Sequence, residues 1–261
     1  MTEGLSRIRI APLLSAACLA CALLLAPGSA FADTPAEGAL HAPPTLATDL
    51  DDYDTSNEDM VADPLEGWNR MWFAVNDVLL LKVIKPVHQG YVAVTPDELR
   101  SGVRNFFHNL GFPLRFLNCL LQGKPSEAGV EMGRFIINST VGMAGFIDVA
   151  KKDKPIVEPD KEDFGQTLGV WGAGEGFYIV WPLIGPSTLR DSVGLAGDYL
   201  AEPFGYMVDD QAVYLGARAY GEFNKADEAI AGYEAVTKSA VEPYTSVRNA
   251  YIQLRRSKVA K

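Results

Sequence analysis

The sequence predicts an all-α fold with one or two short extended segments. Apolar residues recur at three- and four-residue spacing through most of residues 63–261, and prolines and glycines separate these runs. An alternating pattern typical of a strand is confined to residues 177–181. The runs are amphipathic or broken by glycine, and none has the roughly 20 uninterrupted apolar residues of a spanning helix. These features predict a protein that lies in a membrane leaflet.

The first 32 residues have the features of a secretory signal peptide. Arg7 and Arg9 precede an apolar stretch over residues 10–26, and Ala30-Phe31-Ala32 fits an A-x-A cleavage site. Residues 1–32 are therefore excluded from the fold prediction.

Lipoprotein processing is the alternative for this segment. Cys18 and Cys21 are the candidate lipidated residues, but each lacks the usual apolar residue three positions earlier followed by small residues. The apolar stretch also continues past both cysteines. The sequence favours cleavage after Ala32 and leaves lipidation open.

Residues 33–62 are predicted to form an acidic, disordered leader. Residues 33–63 contain nine acidic residues and no Lys or Arg, and self-repulsion opposes folding of such a segment. Residues 64–261 are almost neutral, with 23 acidic and 21 basic residues, although the whole chain carries a net charge of −10. Without a basic patch, nucleic acid is not an expected partner.

Residues 63–253 are predicted to form one helical domain, followed by a basic tail over 254–261. Pro86 is expected to end the first helix, and Ser126 and Ser187 are expected to cap two later ones. The C-terminal helix should bury Tyr244, Val247, Tyr251 and Leu254. The predicted helices cover residues 66–84, 96–110, 114–122, 126–138, 187–200, 209–238 and 243 onward.

The segment Phe164–Pro186 is the most unusual part of the chain. It contains six glycines and a single charged residue, Glu175, so it is apolar but cannot continue as a long helix. We expect it to bend within the protein, with Trp171 and Trp181 packed in the interior.

Catalytic motifs are scarce. The chain has three histidines and no pattern typical of a nucleophile elbow, a zinc protease or a phosphate-binding loop. Asp148, Asp163 and Asp191 lie at predicted helix boundaries, where capping accounts for them. Cys119 lies in a helical apolar pattern and is expected to be a buried small side chain. The sequence therefore predicts no enzyme, no metal site and no cofactor.

Several ordered segments resemble the MlaA family, also called VacJ. Asp63-Pro64-Leu65-Glu66-Gly67-Trp68-Asn69-Arg70 resembles the opening motif of that family. The resemblance covers residues 63 to about 253. Further matching segments are 103–110, 121–123, 133–140, 142–148, 164–172, 182–191 and 242–251.

The resemblance implies a ring-like bundle of amphipathic helices, lying in the inner leaflet of the outer membrane and facing the periplasm. It implies an amphipathic channel that removes phospholipid from the outer leaflet and passes it to a soluble periplasmic carrier. It also implies association with a trimeric porin. Most members are lipoproteins, and the absence of a clear lipidation motif is a departure in this chain.

Two groups of residues are candidates for the lipid path. Gly142, Met143, Gly145 and Phe146 form either a mobile hairpin near the channel or a tight core turn. Arg100, Arg104 and Arg134 either contact phosphates, which guanidinium groups bind well, or form ordinary salt bridges. A porin-bracing structural protein and a periplasmic lipid hydrolase remain as alternative functions.

Overall fold

A computed structural model describes residues 61–152 and 156–261. The predicted signal peptide and residues 33–60 of the predicted leader lie outside the described residues. The helices are α1 (Glu66–Val78), α2 (Lys85–Val94), α3 (Asp97–Leu110), α4 (Phe112–Leu121), α5 (Pro125–Thr140), α6 (Phe164–Val170), α7 (Leu189–Ala201), α8 (Pro203–Met207), α9 (Gln211–Asn224), α10 (Ala226–Thr237) and α11 (Pro243–Val259). A π-helix covers Leu79–Ile84, a 3₁₀ turn covers Ala150–Lys152, and the strands are β1 (Tyr178–Trp181) and β2 (Gly185–Thr188). The predicted all-α class with short extended pieces is confirmed.

The first helical run does not end at Pro86 as predicted. The π-helix connects α1 to α2, and the Lys85 amide donates to the Leu80 carbonyl, five residues back. Pro86 lies in the first turn of α2. Because the π-helix has already interrupted the α-helical hydrogen-bond pattern, the missing amide of proline is tolerated there.

Two helix starts also differ from the prediction. α5 begins at Pro125 with Lys124 in the cap position, and Ser126 makes no cap. The cap of α7 is Thr188, one residue beyond Ser187, and its hydroxyl accepts from the Asp191 amide at 3.2 Å. Threonine at this position provides a side-chain hydroxyl oxygen, as a serine cap would.

Strands β1 and β2 form an antiparallel hairpin in which Tyr178 pairs with Thr188 and Trp181 with Gly185. The free edge of β1 is bonded to side chains of α1. Asn69 is fully buried, and its amide oxygen accepts from the Val180 amide at 2.7 Å while its nitrogen donates to the Tyr178 carbonyl at 3.1 Å. These bonds satisfy backbone groups that would otherwise be buried without partners.

A buried cluster surrounds this hairpin. It contains Val61, so ordered packing begins before Asp63, within the last residues assigned to the leader. As predicted, Tyr244, Val247 and Tyr251 of α11 are buried, whereas Leu254 is only half-buried. The other cluster members are Tyr178, Val180, Tyr244, Tyr251 and Ile252.

The C-terminal residues are part of the packed structure. α11 continues through the predicted tail to Val259, and Arg255 is buried. Its guanidinium donates to Asp163 at 2.6 and 2.9 Å and to Asp191 at 2.9 Å. This arginine links α11 to the cap of α6 and the first turn of α7.

Asp163 and Asp191 both have a pKa below that of an ordinary carboxylate. Burial alone would raise the pKa of Asp163, but the bidentate Arg255 outweighs burial and lowers that pKa to about 2. Arg255 likewise lowers the pKa of Asp191 against the effect of burial. Asp163 also caps α6, accepting from the Gln166 amide at 2.8 Å, as predicted for this helix boundary.

The segment Phe164–Pro186 contains α6, a glycine-rich loop and β1. Trp181 is half-buried, but Trp171 is 56% exposed, so the prediction that Trp171 packs inside is wrong. The Trp171 indole donates to the Leu121 carbonyl at 3.0 Å, which positions the ring at the surface. Among residues 61–152 and 156–261, no helix is long and apolar enough to cross a membrane.

Candidate functional site

One cavity of the described residues has a volume of about 790 Å³. Its walls come from α3, the start of α4, the segment following α5, and α9 and α10. A volume of this size is within the usual range of small-molecule sites. Charged side chains on opposite walls face this space, and we call it the polar cavity.

The charges in the wall of the polar cavity are balanced. The cationic residues are Arg104, Arg115, Lys151, Lys161, Arg218 and Lys225. The anionic residues are Glu98, Asp148, Glu158, Glu202, Glu222 and Glu228. A lining of this kind can solvate both a phosphate and an ammonium group.

Most of these charges are held in ion pairs between or along the walls. Arg104 of α3 contacts Glu228 of α10 at 2.7 Å, and Lys225 contacts Glu222 at 2.9 Å. Arg218 of α9 pairs with Glu202, which precedes α8. These pairs fix the side chains in place and leave both signs of charge facing the cavity.

His108 lies in the wall as a neutral imidazole. The Arg115 guanidinium lies 3.0 Å from His108 Nε2, and because arginine has only donors, Nε2 is the acceptor. The ring proton is then on Nδ1, which faces the Glu158 carboxylate at 3.5 Å. Burial, followed by the positive charge of Arg115, lowers the pKa of His108 to about 2. His108 therefore adds no charge at physiological pH.

The predicted segment from Gly142 to Phe146 forms consecutive tight turns after α5. The Gly145 amide donates to the Asn138 carbonyl at 2.8 Å, and the Ile147 amide donates to the Gly142 carbonyl at 2.9 Å. Met143 and Gly145 have φ values of 54° and 94°. Gly142 is so enclosed that an added Cβ would lie 2.2 Å from the Ile147 carbonyl oxygen.

This turn packs on α3 beside the polar cavity. The Phe146 ring lies 5.2 Å from that of Phe106, and Asn105 donates to the Phe146 carbonyl at 3.2 Å. Phe146 is in the cavity wall, whereas Gly142, Met143 and Gly145 are not. Met143 instead lies at the surface with 71% of its area exposed.

The three candidate arginines lie in different surroundings. Arg104 is in the wall of the polar cavity, whereas Arg100 and Arg134 are not among its lining residues. Arg100 pairs with Asp97 and lies 3.9 Å from Asp227. Arg134 is buried and contacts Asp148 at 2.8 Å and the Ile156 carbonyl at 2.9 Å. All three form salt bridges, and their contact with phosphate stays a prediction.

Several polar wall residues were not singled out from the sequence. Arg115 and Arg218 occupy ordinary helical positions, Lys225 lies at the junction of α9 and α10, and no motif distinguishes the three from surface residues. Their common position depends on the folding that brings α4 and α9, which are separated by about ninety residues of chain, to the wall of one cavity. No sequence signal would have found them.

The outward surface of the first helical run is apolar. Trp68, Met71, Val75 and Val78 recur at three- and four-residue spacing on α1, and they are 43–56% exposed. Val83 and Val87 extend this exposure through the π-helix and α2. We call these six residues the apolar face.

Cys119 is not an activated nucleophile, and the described ranges contain no metal-binding cluster. Cys119 is buried as predicted, and burial raises the pKa of its thiol to about 11, so the thiol stays protonated. Among residues 61–152 and 156–261, no His, Cys, Asp and Glu side chains group in a way that could hold a metal ion.

The fold and site together define a class of helical protein with an apolar outer face and a charge-balanced polar cavity. The sequence profile described as MlaA lipoprotein matches residues 61–258. The chain therefore belongs to the MlaA family.

Curated relatives agree with this assignment. The intermembrane phospholipid transport system lipoprotein MlaA of Shigella flexneri is 34% identical over 74% of this chain and 76% of its own. The protein of the same name from Escherichia coli K12 is 33% identical over the same shares. An uncharacterized protein of Rickettsia bellii is 33% identical over 76% of this chain and 77% of its own.

A solved structure has the same fold. It comes from work on the structural basis for maintenance of bacterial outer membrane lipid asymmetry. It superposes with a TM-score of 0.66 at 31% identity, over 76% of this chain and 99% of that one. The predicted family and fold are both confirmed by these similarities.

Proposed function

We propose that this chain is the outer-membrane component of an intermembrane phospholipid transport system. It lies in the inner leaflet on the periplasmic side, and its polar cavity is part of an amphipathic channel. Phospholipid that has reached the outer leaflet leaves through this channel, which maintains lipid asymmetry. The observation that carries the proposal is a charge-balanced cavity in a protein whose outer face is apolar.

The physical argument concerns the phospholipid headgroup. Moving a phosphate and its counter-charge through hydrocarbon is costly because neither keeps its hydrogen bonds there. The paired charges of the polar cavity replace lost water, while the apolar face contacts acyl chains of the surrounding leaflet. No covalent bond is made or broken, so the protein needs neither a catalytic residue nor a cofactor.

Within this channel, Arg104 is the strongest candidate for phosphate contact. It faces the cavity, and its guanidinium can form two parallel hydrogen bonds with phosphate oxygens. Arg100 and Arg134 would support the adjoining walls through their carboxylate partners. The turn with Gly142, Met143, Gly145 and Phe146 would border the channel through the Phe146 ring.

The direction of lipid transport and the transfer of lipid out of the channel require partner proteins. A passive channel cannot bias transport, so a soluble periplasmic carrier must bind the lipid more tightly and remove it. A trimeric porin would provide the surface beside which the protein lies in the membrane. Both partners are part of the proposal because the family resemblance implies them.

The test measures phospholipid at the cell surface in a deletion strain, using its accessibility to an added phospholipase. We expect deletion to raise surface phospholipid and the unchanged gene to restore it. Arg104→Glu should restore it poorly, because two carboxylates would then face the cavity and repel phosphate. The double change Arg104→Glu with Glu228→Arg should recover much of the activity by re-forming the ion pair.

Arg70→Glu is the matched control, since Arg70 is paired with Glu66 and Glu242 outside the cavity. It should complement normally at equal protein level. Unchanged surface phospholipid after deletion would instead support a structural envelope protein. Release of fatty acid by the purified protein would support a lipid hydrolase.

A further inference from the structure

A second, apolar cavity of about 110 Å³ lies behind the first helical run. The π-helix contributes Leu79, Leu80 and Ile84 to its wall, and the turn after β1 contributes Leu183 and Ile184. The opposite wall comes from α9 and α10. Its position is separate from the apolar face, which points outward.

Two of the polar side chains in this wall are bonded to the protein, whereas the Tyr178 hydroxyl is buried there without a hydrogen-bond partner. The Asn76 amide donates to the Trp181 carbonyl at 2.9 Å and accepts from the Leu183 amide at 2.6 Å. The Tyr233 hydroxyl donates to Asp77 at 2.7 Å. Asn76 and Tyr233 are therefore not available to a polar ligand, and the other lining residues apart from Tyr178 are apolar or glycine, so the cavity is suited to hydrocarbon.

The two cavities meet at Ala229 of α10, which lines both. On one side of this partition, Lys225 and Glu228 face the polar cavity. On the other side, Ala226 and Tyr233 face the apolar cavity. The boundary residue has the smallest side chain that a chiral amino acid can provide, so the partition is thin at this point.

We infer that the apolar cavity receives the end of one acyl chain of a phospholipid whose headgroup lies in the polar cavity. This inference rests on the proposed function and adds a second binding region to it. The adjoining polar and apolar spaces match the two ends of one amphiphile, which neither space would hold alone.

The volume of the apolar cavity fits a segment of an acyl chain. A water-sized group needs roughly 10–15 Å³ of such space. The cavity of about 110 Å³ therefore accepts a run of several methylene groups. The rest of the chain would lie over Ala229 or outside the protein.

The π-helix provides an independent argument. Such segments are rare and are frequently found at functional sites. Here the six residues Leu79–Ile84 replace regular α-helix at the place where the first run forms the cavity wall. The irregular turn directs three of its apolar side chains into the same space.

Photolabelling of the full-length protein tests the inference. One probe is phosphatidylethanolamine with a diazirine at the end of one acyl chain, and the other carries the photoreactive group on its headgroup. We expect the chain probe to label the π-helix and residues 183–186. The headgroup probe should label the walls formed by α3 and α9.

A variant at the boundary adds a second test. Ala229→Phe should reduce labelling of the apolar cavity by about tenfold, a change that the exclusion of about two methylene groups is sufficient to produce. Ala231→Phe is the matched control, because Ala231 is exposed on the same helix and lines neither cavity. It should leave labelling unchanged.

The outcomes separate the two proposals. Headgroup labels in the polar cavity, with chain labels only on the apolar face, would overturn the acyl-chain site and leave the proposed function standing. Absence of headgroup labels from the polar cavity would count against both. Labelling of the unchanged protein decides the matter even if Ala229→Phe does not fold.

Discussion

Gly142 occupies a position at which the surrounding backbone leaves no room for a side chain. A Cβ atom there would approach both the Ile147 and Asn138 carbonyl oxygens, at 2.2 and 2.5 Å. The neighbouring turn also holds Met143 and Ala144 at positive φ, which costs conformational energy in non-glycine residues. The turn is therefore defined by backbone packing, and its sequence tolerates little change.

We expect Gly142→Ala to lower the free energy of unfolding by about 2 kcal/mol or more, because the turn must shift to admit the methyl group. Denaturant unfolding followed by circular dichroism measures this loss. Gly129→Ala is the control, since Gly129 is an exposed residue within α5 with no atom near its added Cβ.

The control should raise stability by roughly 0.5–1 kcal/mol, as alanine favours the helix. Equal effects of the two substitutions would show that the turn at Gly142 is not as tight as described.

Arg255 connects three helices, because its guanidinium joins α11 to the start of α6 and the start of α7. Its partners Asp163 and Asp191 come from separate helices, and the Tyr251 hydroxyl adds a bond to Asp191 at 2.8 Å. A buried charge cluster of this kind specifies how the three helices meet. Removal of one member leaves the other charges without compensation.

We therefore expect Arg255→Met to lower the free energy of unfolding by about 3–5 kcal/mol. The adjacent Arg256→Met is the matched control, since Arg256 is 46% exposed and pairs with Glu175 at the surface. Its cost should be about 1 kcal/mol or less. Similar losses for both variants in denaturant unfolding would contradict a special contribution from Arg255.

The stability of the whole molecule depends on pH, and Asp198 contributes to this dependence. Burial, followed by the charge of Asp163, raises the pKa of Asp198 from 3.8 to about 7. Its carboxylate accepts from the Phe164 amide at 3.1 Å, and Asn118 lies 3.4 Å away. A group with a raised pKa in the folded state binds protons more tightly there than in the unfolded chain.

The contribution of Asp198 to stability is accordingly full below pH 4 and is lost as the pH rises toward 7. Asp163 acts in the opposite direction, because its pKa of about 2 lies below the unfolded value. The stability from Asp163 is present above pH 4 and is lost as the pH falls toward 2. The two groups therefore act in different pH ranges.

The unchanged protein should lose stability between pH 5 and pH 8 as Asp198 becomes charged. We expect Asp198→Asn to remove this part of the loss, which is on the order of 2 kcal/mol in the free energy of unfolding. Unfolding midpoints of both proteins at each pH measure this. Asp209→Asn, at an exposed position before α9, should leave the pH dependence unchanged. If the stability of Asp198→Asn changes with pH in parallel with that of the unchanged protein, the raised pKa of Asp198 is refuted.

Much of the local structure was predictable from the sequence. Apolar periodicity identified most of the helices and much of the buried face of α11, and alternation over 177–181 identified β1. The short helices α6 and α8 were not predicted, and the single helix predicted over 209–238 is divided into α9 and α10. The cap at Asp163, the burial of Cys119 and the MlaA resemblance were also correct. These features depend on a few neighbouring residues, so their signals are contained in short windows of sequence.

The candidate site was only partly predictable. Arg104 and Phe146 lie in the wall of the polar cavity, but Arg115, Arg218 and Lys225 were not identified. The continuation of α11 to Val259, with Arg255 buried, was also missed, because a cluster of basic residues at a helix end usually indicates solvent exposure. Their acidic partners are distant in the sequence and become visible only in the folded protein.

The sequence by itself determined the family, the helical class and the apolar sides of several helices. The tertiary structure alone decided that the first run continues through a π-helix, that Arg255 is buried, and that two cavities meet at Ala229. The physical reason is that propensity and periodicity act over one or two helical turns. A cavity or a buried ion pair depends on residues that only the packing of remote helices brings together.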